Sequence, residues 1–78
     1  MERHNLYMFR CEQRLSQEDM AKKIGVSRAT YAFVENGKRD GSVAFWGRFQ
    51  EGFNIPLTEL PKYMKKGQEN ETRTQSSS

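Results

Sequence analysis

The side chains that could do chemistry are few, and most are of one kind. His4 and Cys11 are each the only residue of their type in the chain. Neither has the partner that nucleophilic catalysis needs, and no His, Cys and carboxylate grouping has metal-site spacing. A glycine-rich phosphate loop is also absent from the sequence. What the sequence concentrates is positive charge: from Lys22 to Arg39 stand Lys22, Lys23, Arg28, Lys38 and Arg39 against one acid, Glu35. Ammonium and guanidinium groups in such a run bind phosphates, and a guanidinium can also fork to O6 and N7 of guanine. The chemistry expected is recognition of a polyanion. Catalysis is not expected, and neither is a cofactor, a metal or a small-molecule effector.

The frame that must position these groups is small. With 78 residues and 9.1 kDa the chain makes one domain at most, whose marginal core cannot enclose a large substrate pocket. One cysteine excludes an internal disulfide, so packing alone or packing plus a partner must hold the fold. There is no run of 18 apolar residues and no signal-like N-terminus, so the expectation is a cytoplasmic protein without a membrane partner. Residues 1–66 carry 12 Lys/Arg against 8 Asp/Glu, whereas 67–78 carry Arg73 against Glu69 and Glu71. The segment 67–78 contains no Leu, Ile, Val, Phe, Trp, Tyr or Met and cannot offset its ordering entropy by burial. It reads as a disordered polar tail behind a folded domain over 1–66.

Within that domain the punctuation delimits five short helices and no strand. The first runs from about Glu2 to Arg14 and has Leu6, Phe9, Arg10 and Gln13 on one face. Ser16, with Asp19 three residues on, can cap a second helix that ends at Gly25. Ser27 can cap a third that reaches Asn36, where Asn36-Gly37 signals a turn. Ser42 can cap a fourth, with Val43, Trp46, Phe49 and Phe53 on a common face and Asn54 as terminator. Pro56 suits the first turn of a fifth that carries Leu57 and Leu60. Gly47 and Gly52 are weak spots in the fourth helix, each costing about 1 kcal/mol relative to Ala.

Two short helices joined by a Gly-containing turn, in a basic all-helical chain, suit a helix-turn-helix. The run from Leu15-Ser16-Gln17-Glu18-Asp19-Met20-Ala21 through Gly25-Val26-Ser27-Arg28 to Val34-Glu35-Asn36-Gly37-Lys38-Arg39 resembles the Cro/repressor-type (XRE-like) helix-turn-helix family. The likeness continues through Ser42-Val43, Phe49, Phe53, Ile55-Pro56-Leu57, Glu59 and Leu60. It implies the lambda-repressor-like all-α fold, a bacterial or phage-type regulator and double-stranded DNA as the partner.

The resemblance also suggests roles for individual residues. Arg10 and Glu35 each place a charge on an apolar face and must pair or snorkel to water; the resemblance implies a buried bridge. The first residues of the third helix are implied to contact bases, which makes Ser27, Arg28, Ala29, Ala32 and Phe33 the candidate readers. Arg28 could fork to guanine or hold a phosphate. Phe33 could meet a thymine methyl or tuck under a neighbouring helix. Gln17 at the start of the second helix is implied to hold a phosphate, and Thr30, Asn36, Lys38 and Arg39 are further phosphate candidates, the last two alternatively being solvated turn charges. The fifth helix, around Leu57, Leu60 and Met64, is implied as a dimer contact, with Phe45 as a further candidate. The expected function is a sequence-specific transcriptional regulator, a repressor, that binds a pseudo-palindromic operator as a homodimer, one that can form only on DNA. The alternative is a helix-turn-helix module that binds a protein, such as the antitoxin of a toxin pair.

Overall fold

A computed structural model describes residues 1–67, and all regular structure among them is helical. The elements are α1 (His4–Glu12), α2 (Gln17–Ile24), α3 (Arg28–Glu35), α4 (Val43–Phe53) and α5 (Leu60–Met64). Three begin at a serine whose hydroxyl accepts the amide three residues on: Ser16 from Asp19, Ser27 from Thr30 and Ser42 from Phe45. The Ser16 N–H in turn donates to the Asp19 carboxylate, which completes a capping box. Gly25 and Asn54 end α2 and α4 in the left-handed conformation. These local devices fix where α2, α3 and α4 start and where α2 and α4 stop.

Packing closes α2 on α3 and α4, and α1 on α5 and α3. The core consists of Leu6, Met20, Ala21, Ile24, Tyr31, Val34, Phe45, Trp46, Phe49, Ile55, Leu60 and Tyr63, with Phe9, Leu15, Val26 and Phe53 packed against it. Aromatic rings supply much of its volume. Phe49 stands edge-on to Phe9, Trp46 and Tyr63, with centroids 5.4–5.9 Å apart.

Several expectations are corrected here. Val43 is 91% exposed and does not share the core face of α4; Phe45, 2% exposed, takes that place and stacks on Tyr31. Val43 is the first residue of α4 and projects from its open end, so the inward stripe begins with Phe45 and Trp46. Phe45 is therefore not an available dimer contact. Leu60, also buried, faces the core. The fifth helix starts later than Pro56: residues 56–59 form turns, and Pro61 stands in the first turn of α5, where its missing N–H costs nothing. The first helix is shorter than expected at both ends. Gly67, assigned to the tail, is buried, and its N–H donates to the Glu2 carbonyl at 2.7 Å. The rest of the expected tail lies outside the described residues.

The chain is tied into the fold from its third residue. Arg3, 3% exposed, inserts its side chain beneath the end of α3, and its own N–H donates to the Glu35 carbonyl at 2.8 Å. No apolar pattern announces this contact.

Candidate nucleic-acid interface

The helix pair α2–α3 is set by one buried charge. Glu35, on the inner face of α3, accepts Arg10 Nε on Oε1 at 2.8 Å and Arg10 Nη2 on Oε2 at 3.2 Å. The Tyr31 hydroxyl donates to Oε1 at 2.6 Å and Gln17 Nε2 to Oε2 at 3.1 Å. Arg10 also donates to the Leu15 carbonyl, which ties α1 to the entry of α2. Burial alone would raise the Glu35 pKa. The bonds from Arg10, Tyr31 and Gln17 outweigh it and hold the carboxyl below its ordinary value. Burial, with Glu35 as neighbour, pushes the Tyr31 phenol far up, so it remains a donor. The structure thus brings Arg10 and Glu35 together and adds Gln17 to them. Gln17 is half-buried at the first position of α2 and commits one amide proton to Glu35. Its second amide proton is left for an outside acceptor.

On the other side of α3 the groups are open. Arg28, the first residue of the helix, and Ala29 are exposed, and among the described residues the Arg28 guanidinium has no hydrogen-bond or ionic partner. Ala32 is half-buried and Phe33 is 37% exposed. The Arg39 guanidinium lies over the Phe33 ring at 4.9 Å, so the ring is partly covered from the following turn. Ser27 and Thr30 largely serve each other. The Ser27 hydroxyl accepts the Thr30 amide and donates to Thr30 Oγ1 at 2.8 Å. This leaves Ser27 less free as a base reader than its position suggests.

After α3 the chain turns through Gly37, at φ +81°, and folds back so that the amides of Lys38 and Arg39 both donate to the Phe33 carbonyl. Asn36, Lys38 and Arg39 are exposed on this turn. Sequence reading missed two residues that shape the area. Arg3 supports the turn from below. Arg48, on α4, donates to the Gly25 carbonyl at 3.3 Å, helping to cap α2. Both bond to backbone carbonyls, and no side-chain pattern in the sequence signals such partners. Between α3 and the start of α4 lies a groove of about 280 Å³, lined by Val26, Val34 and Phe45 together with Thr30, Arg39 and Arg48. None of the described helices is long and apolar enough to cross a membrane.

Comparison with known proteins agrees with this geometry. Residues 6–60 match the helix-turn-helix family. An uncharacterized HTH-type transcriptional regulator of Methanocaldococcus jannaschii is 34% identical over 58 residues, covering 74% of this chain and 88% of the relative. A second such regulator, from Archaeoglobus fulgidus, is 36% identical over 52 residues, or 67% of this chain and 74% of the relative. The control protein C.MunI of a Mycoplasma species is 41% identical over 46 residues, 59% of this chain and 62% of that protein. No solved structure matches the chain. With a capped α2, a glycine turn and an α3 whose outer face is open, the chain belongs to the XRE-type helix-turn-helix family of DNA-binding transcriptional regulators.

Proposed function

We propose that the protein is a sequence-specific repressor that lays α3 in the major groove of double-stranded DNA. The observation that carries this reading is the Arg28 guanidinium, which is exposed at the first position of α3 and has no partner among the described residues. A free fork at that end of a recognition helix matches the O6 and N7 acceptors of guanine. Ala29 and Phe33 continue the same exposed face and suit the methyl of a neighbouring thymine. Gln17, Thr30, Asn36, Lys38 and Arg39 flank that face and suit phosphates, Gln17 through its second amide proton and the positive end of α2.

A single domain of this size reads only a few base pairs. A homodimer on a pseudo-palindromic operator doubles the discrimination, with half-sites about one helical turn apart. Leu57, 70% exposed, and Met64 are the apolar groups near α5 left for that contact. Selection of bound fragments from random duplex DNA, followed by titration at several salt concentrations, tests the proposal. The expected result is an inverted repeat with a guanine in each half and an affinity that falls steeply with salt. No enriched sequence, with affinity indifferent to salt, would sink it.

A further inference from the structure

We infer that Arg3 is a positioning residue for DNA binding: its guanidinium bridges the end of α3, the 36–42 loop and the end of α5, and so holds Lys38 and Arg39 where they meet the DNA backbone. The inference rests on the reading above that these two cations are phosphate contacts.

The geometry is specific to a guanidinium. Nη1 donates to the Val34 carbonyl at 2.6 Å and to the Arg39 carbonyl at 2.9 Å. Nη2 donates to the Asp40 carbonyl at 3.2 Å, and Nε to the Met64 carbonyl at 2.8 Å. Four of the five N–H groups are thus spent on main-chain oxygens from three segments. The Val34 carbonyl, in the last turn of α3, also accepts the Gly37 N–H, so the guanidinium adds a second donor there, and a cation at that end complements the helix dipole. Two further contacts seat the loop. Trp46 Nε1 donates to the same Asp40 carbonyl at 3.0 Å, and the Arg3 guanidinium lies 5.6 Å from the Trp46 ring centroid. Arg39 is therefore held by its backbone from below while its side chain lies across Phe33 on the outer face. Arg3, almost fully buried, cannot itself reach DNA and acts through the loop.

Phosphate contacts appear in the slope of log affinity against log salt, at about 0.9 per contact on duplex DNA. The test compares the full wild-type chain, Arg3→Lys, the Lys38→Ala/Arg39→Ala pair and the triple variant, each on a selected operator and its single-base changes. A lysine keeps the charge and cannot span four carbonyls. Arg3→Lys should lower the slope by about one to two with base preference unchanged. On the Lys38→Ala/Arg39→Ala background it should lower the slope no further, because both changes remove the same contacts. A wild-type slope in Arg3→Lys, or an additional loss in the triple variant, overturns the inference. A wild-type slope in the Lys38→Ala/Arg39→Ala pair is a different failure, that of the phosphate reading itself. A measurement on the unmodified protein does not depend on any variant folding. The Lys38 and Arg39 amides should be as protected from hydrogen exchange without DNA as the last turn of α3, and exchange at the rate of a free peptide also overturns the inference.

Discussion

Arg10 and Glu35, 25 residues apart in the chain, form a two-pronged pair in which both carboxylate oxygens take a guanidinium proton. Glu35 is 3% exposed and also receives Tyr31 and Gln17, so its charge is fully accounted for by neighbours. Removing one member of such a pair strands the other. Glu35→Gln or Arg10→Met should cost about 3–5 kcal/mol, against about 0.5 kcal/mol or less for the exposed Glu12→Gln. A domain of this size has little stability to lose, and thermal melts report the difference directly. Melts of the two core variants that coincide with wild type would remove the pair from the account of stability.

The same site makes stability depend on acid. Because the folded Glu35 carboxyl titrates below its ordinary value near 4.5, its contribution is complete above that value and is lost as the pH falls through the folded value. Urea midpoints measured from pH 6 downward should fall for wild type. They should fall less for Glu35→Gln, which has no carboxyl to protonate, so the gap between the two narrows with acid. A gap that stays constant or widens would mean that Glu35 is not held in its charged form.

For the DNA face, the test separates readers from grips. Arg28→Ala should weaken binding by about 1–3 kcal/mol and relax preference at one base pair in each half-site. Lys38→Ala should weaken all sequences alike and lower the salt slope by about one. Binding measured across single-base operator variants distinguishes the two patterns. Uniform loss in Arg28→Ala would make Arg28 a phosphate ligand.

What the sequence made legible was local. Ser16, Ser27 and Ser42 each cap within three residues of themselves, and Gly25 and Asn54 stop helices for backbone reasons alone, so α2 to α4 could be placed before any packing was known. The Arg10 and Glu35 charges stood out because each interrupts an apolar stripe. The illegible parts depend on tertiary contacts. Whether α4 turns Val43 or Phe45 inward is decided by Tyr31 of α3, on whose ring Phe45 stacks, since both residues fit an apolar face. Pro56 and Pro61 are equally good helix starters by type. The chain uses Pro61 because the run from Pro56 forms turns, with Glu59 N–H bonded to the Pro56 carbonyl. Arg3 gave no signal, because the four bonds that fix its guanidinium go to carbonyls that every residue possesses, and its longer contact to the exposed Asp40 carboxylate, 4.0 Å away, spans 37 residues of chain.

The dimer contact has a test that leaves the fold intact. Leu57 is so exposed that Leu57→Glu should change stability by no more than about 0.5 kcal/mol. If it lies in the interface, the charge should abolish cooperative occupation of two half-sites while binding to an isolated half-site remains. Sedimentation on a palindromic duplex would then show two chains per duplex for wild type and a mixture of one and two for the variant at limiting protein. Identical cooperativity in the two proteins would exclude Leu57 from the contact.

The glycines of α4 and of the loop before it give a prediction of opposite signs. Gly47 is an exposed helical residue, and a methyl group built there meets no atom within 4 Å. Nothing in the fold therefore requires its freedom, and Gly47→Ala should stabilise the protein by about 0.5–1 kcal/mol by removing the entropic penalty of glycine in a helix. That corresponds to roughly 2–8 °C in melting temperature for a domain of this size. Gly41 is the contrary case. Its φ is +83°, and an added methyl would lie 2.7 Å from Trp46 Nε1, the atom that donates to the Asp40 carbonyl. Gly41→Ala should therefore destabilise, through backbone strain and through displacement of the indole that seats the loop. It should also shift the emission of Trp46, the chain's only tryptophan, whereas Gly47→Ala should not. Equal shifts in melting temperature for the two variants would mean that the close approach of Gly41 to Trp46 does not govern the loop.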